Sequence, residues 1–366
     1  MPAALRDLRI VDFSRVLAGP FATMLLADLG ATVVKVERPG SGDDTRSWGP
    51  PYDEAGDATY FQAVNRNKSS VVLNLADPEA RRLALDADVV VENFMPGTME
   101  RFGLGYDQLR AENAALVYCS ITGFGRGPGA AMPGYDLLIQ AVGGLMSITG
   151  TPDGDPQKVG VALVDVLAGL FATIGILAAL RHREATGEGQ RVEVDLLSSL
   201  LAALVNQGAA YTAGGVVPER MGNEHPSVMP YGLLRAADGD IVVAVGNDRQ
   251  FTALCEVLEL TVDEKFATNP GRIEHRAELK ALLEDALKRR PVDEWVRELG
   301  TRGVPAGRVN DVAQAFELAE RLGLAPVVEL PRADGSTTRL TRNPIRLSET
   351  PARYDSAPPR LGSDSD

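Results

Sequence analysis

Histidine and cysteine are scarce in this chain of 366 residues, and aromatic side chains make up only 5% of it. The three histidines, His182, His225 and His275, stand far apart, so no histidine cluster offers a metal site. No Ser-His-Asp or Cys-His pairing can be read either. Cys119 and Cys255 are the only cysteines, each inside an apolar run, which predicts two buried core thiols in a cytoplasmic protein. Basic charge is also short: 37 Lys and Arg against 50 Asp and Glu leave a net charge of -13. That balance argues against nucleic acid or an anionic membrane surface as partner, since both require a basic face. It leaves room for an anionic small ligand, which needs only a local cluster of Arg and Lys. The start, MPAALRDLRIVDF, has no signal-peptide pattern. There is no GxGxxG fingerprint and no Walker loop, so nothing points to NAD or ATP.

What is present describes a folded α/β protein. Hydrophobic residues are 45% and charged residues 24% of the chain, ordinary values for a protein with a sizeable core. Short β-branched runs at 8–13, 32–37, 70–75, 88–93 and 115–123 alternate with helix patterns, which predicts a parallel sheet covered on both faces. Ligands of such a sheet lie beyond the carboxyl ends of its strands. The polar, Gly- and Pro-rich segments SRVLAGP, RPGSGDDTR and FMPGTMERFG fall there. Residues 159–180 are long and apolar enough to span a membrane, yet they contain Asp165 and have no companion span. A helix buried in the α/β domain is the reading adopted.

The expected organisation is a large Rossmann-like α/β domain over 1–207, a linker over 208–226 and a smaller α+β domain over 227–325. A final segment, 326–366, returns toward the large domain. Within this frame Asp165 is the unusual residue, with no charged neighbour between Val159 and Leu180. It reads equally as a helix cap or as a reactive carboxylate, because a helix N-terminus favours its charge and apolar surroundings strip its water.

The runs VDFSRVLAGPFATMLLADLGATVVKVERPGSGDDTRSWGP, NRNKSSVVLNL, ADVVVENFMPG, GYDLLIQAVGGLMSITG, VGVALVDVLAG and TGEGQRVEVDLL, with GNEHPSVMPY and DGDIVVAVGNDRQF, resemble the class III CoA-transferase family, also called CaiB/BaiF. The resemblance covers nearly the whole chain, with its motifs in order. It implies an interlocked homodimer, with coenzyme A as co-substrate, an acyl-CoA donor, a carboxylic acid acceptor and no metal. By the same resemblance Arg15, Val16, Leu17, Ala18, Arg38, Leu73, Asn93, Phe94, Arg101 and Phe102 contact CoA. Arginine suits that ligand, since its guanidinium pairs with phosphates and stacks on adenine. Asp165 matches the family's nucleophilic aspartate, and Tyr135 with Asp136 matches an aromatic–acid pair beside it. Gly143, Gly144 or the Gly222 loop are candidate oxyanion donors.

Two rival readings stay open. The fold also hosts α-methylacyl-CoA racemases, which resemble this chain but carry His at the position of Tyr135. A phenol of pKa about 10 is a poor proton shuttle near neutrality. The third reading is a CoA-binding protein that has lost catalysis. The chain departs from the family in a helix near 77–88 expected to be about two turns shorter and in a short end after LGSDSD. Arg220, Arg249 and His225 are candidates for gripping a second carboxylate, and succinyl-CoA is a possible donor.

Overall fold

The computed structural model describes residues 3–365 and divides into two compact units. The first comprises Met1–Met146, Lys158–Pro218 and Ala325–Asp366, and the second Ser147–Gln157 and Glu219–Leu324. The boundary differs from the expected one at 147–157, which packs with the second unit. The Gly222 N–H donates to the Gly150 carbonyl at 3.0 Å, and the Arg220 Nε–H to the Thr151 carbonyl at 3.2 Å, tying the segment there.

In the first unit six strands form one parallel sheet: β1 (Arg9–Asp12), β2 (Thr32–Glu37), β3 (Lys68–Val72), β4 (Val89–Glu92), β5 (Val117–Thr122) and β6 (Arg191–Asp195). Their order is β3-β2-β1-β4-β5-β6. Helices α1 (Ala18–Asp28), α2 (Pro78–Leu85), α3 (Asp136–Val142), α4 (Leu163–Thr186), α5 (Leu196–Ala203) and α6 (Val205–Thr212) accompany it. Side chains alternate across the sheet as strand geometry demands. Val89 and Val91 join a core with α1 and α4, whereas Val90 joins a second core with Ala80 and Ala84 of α2. Both faces are covered, so β4 is buried along its whole length. Helix α2 has 8 residues. Helix α6 occupies the start of the stretch expected as linker.

Helix α4 is the apolar run of the sequence. Its buried face carries Val164, Ala168, Ala172, Ile176 and Ala179, spaced four or three apart, and this narrow stripe faces the core. Small residues there let α1 come close. A Cβ at Gly169 would stand 2.7 Å from the Ala18 carbonyl oxygen, so only glycine fits. Leu170, Phe171 and Ile174 on the other side are exposed.

The second unit holds an antiparallel sheet of β7 (Tyr231–Arg235), β8 (Asp240–Ala244) and β9 (Ala306–Arg308). Helices α7 (Asp248–Val257), α8 (Arg276–Leu287) and α9 (Val292–Thr301) close its core, where Phe251, Phe266 and Trp295 are buried. The chain then re-enters the first unit as a hairpin of β10 (Val327–Pro331) and β11 (Thr337–Thr341). Rather than lying loose on the surface, the tail is tied to the outer strand. The Asp364 N–H donates to the Ser70 carbonyl and the Val72 N–H to Ser365 Oγ, both at 3.0 Å. This occupies an edge of β3 that would otherwise expose backbone groups.

Candidate active site

Strand order reverses direction at β1, whose neighbours are β2 on one side and β4 on the other. The loops leaving β1 and β4 therefore part company, and a crevice opens between them. Asn93, just after β4, bridges it. Its side-chain carbonyl accepts the Arg15 N–H at 2.9 Å and its amide donates to the Arg15 carbonyl at 2.7 Å. Residue 15 is thus clamped on both sides of its own backbone.

The next residue is strained. Val16 has φ +69°, a conformation that a β-branched side chain rarely adopts and that costs about 1–3 kcal/mol. Its N–H points at both Asp43 oxygens, 3.3 Å from each. Asp43 is anchored by Lys35, with Nζ 2.9 Å away, and by the Thr45 hydroxyl at 2.8 Å. Lys35 also donates to the Ser14 carbonyl at 2.9 Å. Beside it Lys68 pairs with Asp12 at 3.0 Å and donates to the Pro20 carbonyl and Asn65. All four charged groups are buried. Burial by itself would raise the Asp12 carboxyl, but Lys68, Lys35 and the Ser14 and Thr23 hydroxyls bring it down to about 2. Burial pushes the Lys68 ammonium down to about 8 against the pull of Asp12. This buried network sits under the loop that it shapes.

Two cavities open above it. The outer one, about 420 Å³, is lined by Arg15, Lys35, Arg38, Leu73, Phe94 and Phe102 among others. Three cations and the acids Glu37, Asp43 and Asp77 stand among apolar side chains there, the mix of apolar wall and polar groups usual for a ligand pocket. Arg38 is paired with Asp44 and donates to Ser41 Oγ. The inner cavity, about 250 Å³, is lined by Arg15, Val16, Leu17, Ala18, Asn93, Phe94, Tyr135 and Asp165, with residues 121–123 at the end of β5. Helix α1 starts at Ala18 without a side-chain cap. Pro20 has no N–H and the Phe21 N–H goes to the Leu17 carbonyl at 2.7 Å, so the donor of this turn that stands on the cavity wall is Ala18.

Asp165 lies in the first turn of α4 and is only partly exposed. Burial, then the neighbouring Asp136 charge, pushes its carboxyl up to about 7. Asp136 lines neither cavity. One of its oxygens accepts the Val164 N–H at 2.8 Å, capping α4, and the other is held by the Gln140 amide at 2.6 Å. It positions the helix start that carries Asp165. Tyr135 is on the wall and 62% exposed, so it is not a packed core aromatic.

Other expected residues fall elsewhere. Arg101 is exposed, lines neither cavity and donates only to Thr98 at 3.4 Å. The Gly143 N–H is already donated to the Ile139 carbonyl at 2.8 Å, closing α3, so it is no oxyanion donor. Gly144 follows with φ +86° and also lines neither cavity. Gly222 lies in the second unit, and its N–H is taken by the Gly150 carbonyl. His225, in that unit too, accepts the Ser227 N–H at Nδ1, 3.0 Å away, and its ring is tilted against Tyr231. Among the described residues no group of His, Cys, Asp and Glu could hold a metal.

Tyr60 was not legible from the sequence. Burial raises its hydroxyl, and the Asp165, Asp136 and Asp43 charges raise it further. Trp48 packs edge-on against it, with centroids 5.4 Å apart. The aromatic pair in TYFQ was the available signal.

Comparison with known proteins identifies the family. The profile described as CoA-transferase family III matches residues 5–365. A succinate–glutarate CoA-transferase of Agrobacterium fabrum is 42% identical over 98% of this chain and 93% of its own length. The human succinyl-CoA:glutarate CoA-transferase is 40% identical over 98% of this chain and 83% of its own. A crystal structure of a CaiB/BaiF family protein from Brucella suis superposes with a TM-score of 0.88 at 43% identity, covering 100% of this chain and 98% of that one. The chain belongs to CoA-transferase family III, the CaiB/BaiF proteins, and is a CoA-transferase.

Proposed function

We propose that the chain moves CoA from an acyl-CoA to a free dicarboxylic acid through covalent intermediates on Asp165. The observation that carries this is Asp165 itself, a partly buried carboxylate on the wall of the inner cavity, where the α4 N-terminus favours its charge. The carboxylate attacks the thioester carbonyl, the C–S bond breaks, and CoA leaves as thiolate while a mixed anhydride forms. The thiolate then attacks the Asp165 carbonyl carbon and expels the donor acid, giving an aspartyl-CoA thioester. The acceptor carboxylate attacks that thioester, and the released thiolate attacks the acceptor carbonyl of the new anhydride. New acyl-CoA departs and the Asp165 carboxylate is restored. Dividing the exchange in this way replaces one difficult step by several easier ones. The Ala18 N–H at the start of α1, on the wall of this cavity, supports each oxyanion.

The outer cavity suits the CoA nucleotide, with Arg38 at the phosphates and Phe94 and Phe102 as apolar walls. The choice of dicarboxylates rests on relatives named for succinyl-CoA with glutarate, mesaconate or citramalate. Leu170, Phe171, Ile174, Leu201 and Val205 leave an apolar face exposed on α4 to α6. A second copy of the chain covers it in this reading, as the interlocked dimer of the family resemblance implies. The free, buried Cys119 and Cys255 fit a reducing cytoplasm.

A carboxyl near 7 would also suit proton removal beside a thioester. Among the residues lining the inner cavity, however, no histidine stands ready to serve the opposite face of the carbon. The test is to incubate the protein with succinyl-CoA and glutarate, then quench with hydroxylamine. A hydroxamate on Asp165, together with glutaryl-CoA, is expected. Transfer that survives in Asp165→Ala, or solvent deuterium entering the α-carbon without acceptor, would sink the proposal.

A further inference from the structure

Arg15 carries a charge that its surroundings answer only in part. Its Nε is buried and has no hydrogen-bond partner. Its one carboxylate contact, Nη1 to Asp44 Oδ2, is long at 3.4 Å, and Asp44 is the closer partner of Arg38. The guanidinium lies over the Phe94 ring, 5.0 Å from its centroid, while Asn93 clamps the backbone of residue 15. Phe94 is itself held, because its N–H donates to Glu92 at 2.8 Å. The cation therefore rests over Phe94, and an unanswered buried N–H costs about 1–3 kcal/mol unless something accepts from it.

Its place in the cavities is equally specific. Arg15 lines both, and no other Lys, Arg or His lines the inner one. The remaining charged groups on that inner wall are Asp44 and Asp165. Arg15 and Asp165 therefore share that wall. Of the arginines singled out from the sequence, Arg220 spends its Nε on the Thr151 carbonyl and Arg249 is exposed on α7, both in the second unit.

We infer that the Arg15 guanidinium receives the remote carboxylate of a dicarboxylic acid while the other carboxyl reacts at Asp165. Arg15 is then the residue that selects diacids over monoacids. This rests on the CoA-transfer reading above. A planar fork with a free Nε and a partly engaged Nη1 matches a carboxylate, which accepts two parallel N–H bonds. A monocarboxylate of the same length would leave that donor buried and unpaired. Discrimination against a partner lacking the polar group is correspondingly steep.

The experiment compares the full-length protein with Arg15→Gln and Arg15→Lys. Each is assayed for transfer from succinyl-CoA to glutarate and from butyryl-CoA to valerate, and free CoA binding is measured by calorimetry. For Arg15→Gln, diacid transfer is expected to fall at least about 100-fold in kcat/KM, and the ratio of diacid to monoacid kcat/KM to fall at least about tenfold. Arg15→Lys should recover part of the diacid activity by keeping the charge. An equal loss on both substrate pairs, with CoA binding weakened, would assign Arg15 to CoA and overturn the inference. Should wild type turn over butyryl-CoA too slowly to follow, CoA affinity decides. Diacid transfer lost at unchanged affinity supports the inference, and weakened affinity overturns it. If wild type transfers CoA between no pair at all, the CoA-transfer reading fails first.

Discussion

The two units bury charge in different ways. In the second, Arg272 is enclosed, stacked on Phe251, and donates to the carbonyls of Met229, Phe266 and Ala267 and to Asp248. One cation there fastens loop carbonyls around an otherwise apolar core. In the first, Asp12, Lys35, Asp43 and Lys68 form a buried network, and its outermost contact holds the strained Val16 N–H. Among the described residues, both carboxyls pushed upward, Glu92 and Asp165, belong to this unit. A hydrophobic replacement of a buried ion pair is often neutral or stabilising. The buried network in the first unit is therefore better understood as shaping a loop than as a source of stability.

The comparison can be broken first at its reactive end. Asp165→Ala is expected to lower transfer by roughly 10³-fold or more while leaving acyl-CoA binding nearly intact, measured by steady-state rates beside calorimetry. Next comes the network. Asp12→Asn leaves Lys68 buried without its carboxylate and should cost about 3–5 kcal/mol in urea unfolding. Arg272→Met in the second unit should cost less, about 2–3 kcal/mol, because it strands carbonyls and the exposed Asp248 carboxylate but no buried charge. Equal losses would remove the distinction.

The pH dependence sharpens the same contrast. The Asp165 carboxyl is raised, so the folded chain holds its proton more tightly than the unfolded chain does. That contribution to stability is complete below the ordinary value of 3.8 and disappears as pH rises through about 7. Asp165→Asn should therefore unfold at higher urea than wild type at pH 8.5, by roughly 1–3 kcal/mol, and show no such gain near pH 4. Attack requires the ionised form, so kcat/KM should rise with pH through about 7. The smallest effect is expected at Asn93. Asn93→Ala removes two bonds to residue 15 and should cost about 1–2 kcal/mol, with a larger KM for acyl-CoA than change in kcat.

Much of the first unit was legible along the chain. The runs at 8–13, 32–37 and 115–123 became β1, β2 and β5 because β-branched residues filled strands covered on both faces. The long apolar run became α4 because its small residues repeat on one face. Legibility stopped where a group's role depends on its partner. Gly143 reads as a flexible donor in sequence, yet its N–H belongs to the last turn of α3. Asp136 reads as a second acid beside Asp165, yet both its oxygens hold structure in place. Tyr60 is an ordinary aromatic in a short helix until burial and the charges of Asp165, Asp136 and Asp43 raise its hydroxyl.

The amino-acid sequence by itself determined the alternation of strands and helices, the isolation of Asp165 in an apolar run, and the family to which the chain belongs. Those properties follow from local periodicity and from the order of motifs, which need no third dimension. Only the tertiary structure decided that residues 15–18, 93–95, 121–123, 135 and 165 share one cavity. The reversal of strand order at β1 draws these distant segments together. It also decided the upward shift of the Asp165 carboxyl and the strain at Val16, because desolvation and backbone conformation depend on what surrounds a residue and not on what precedes it in the chain.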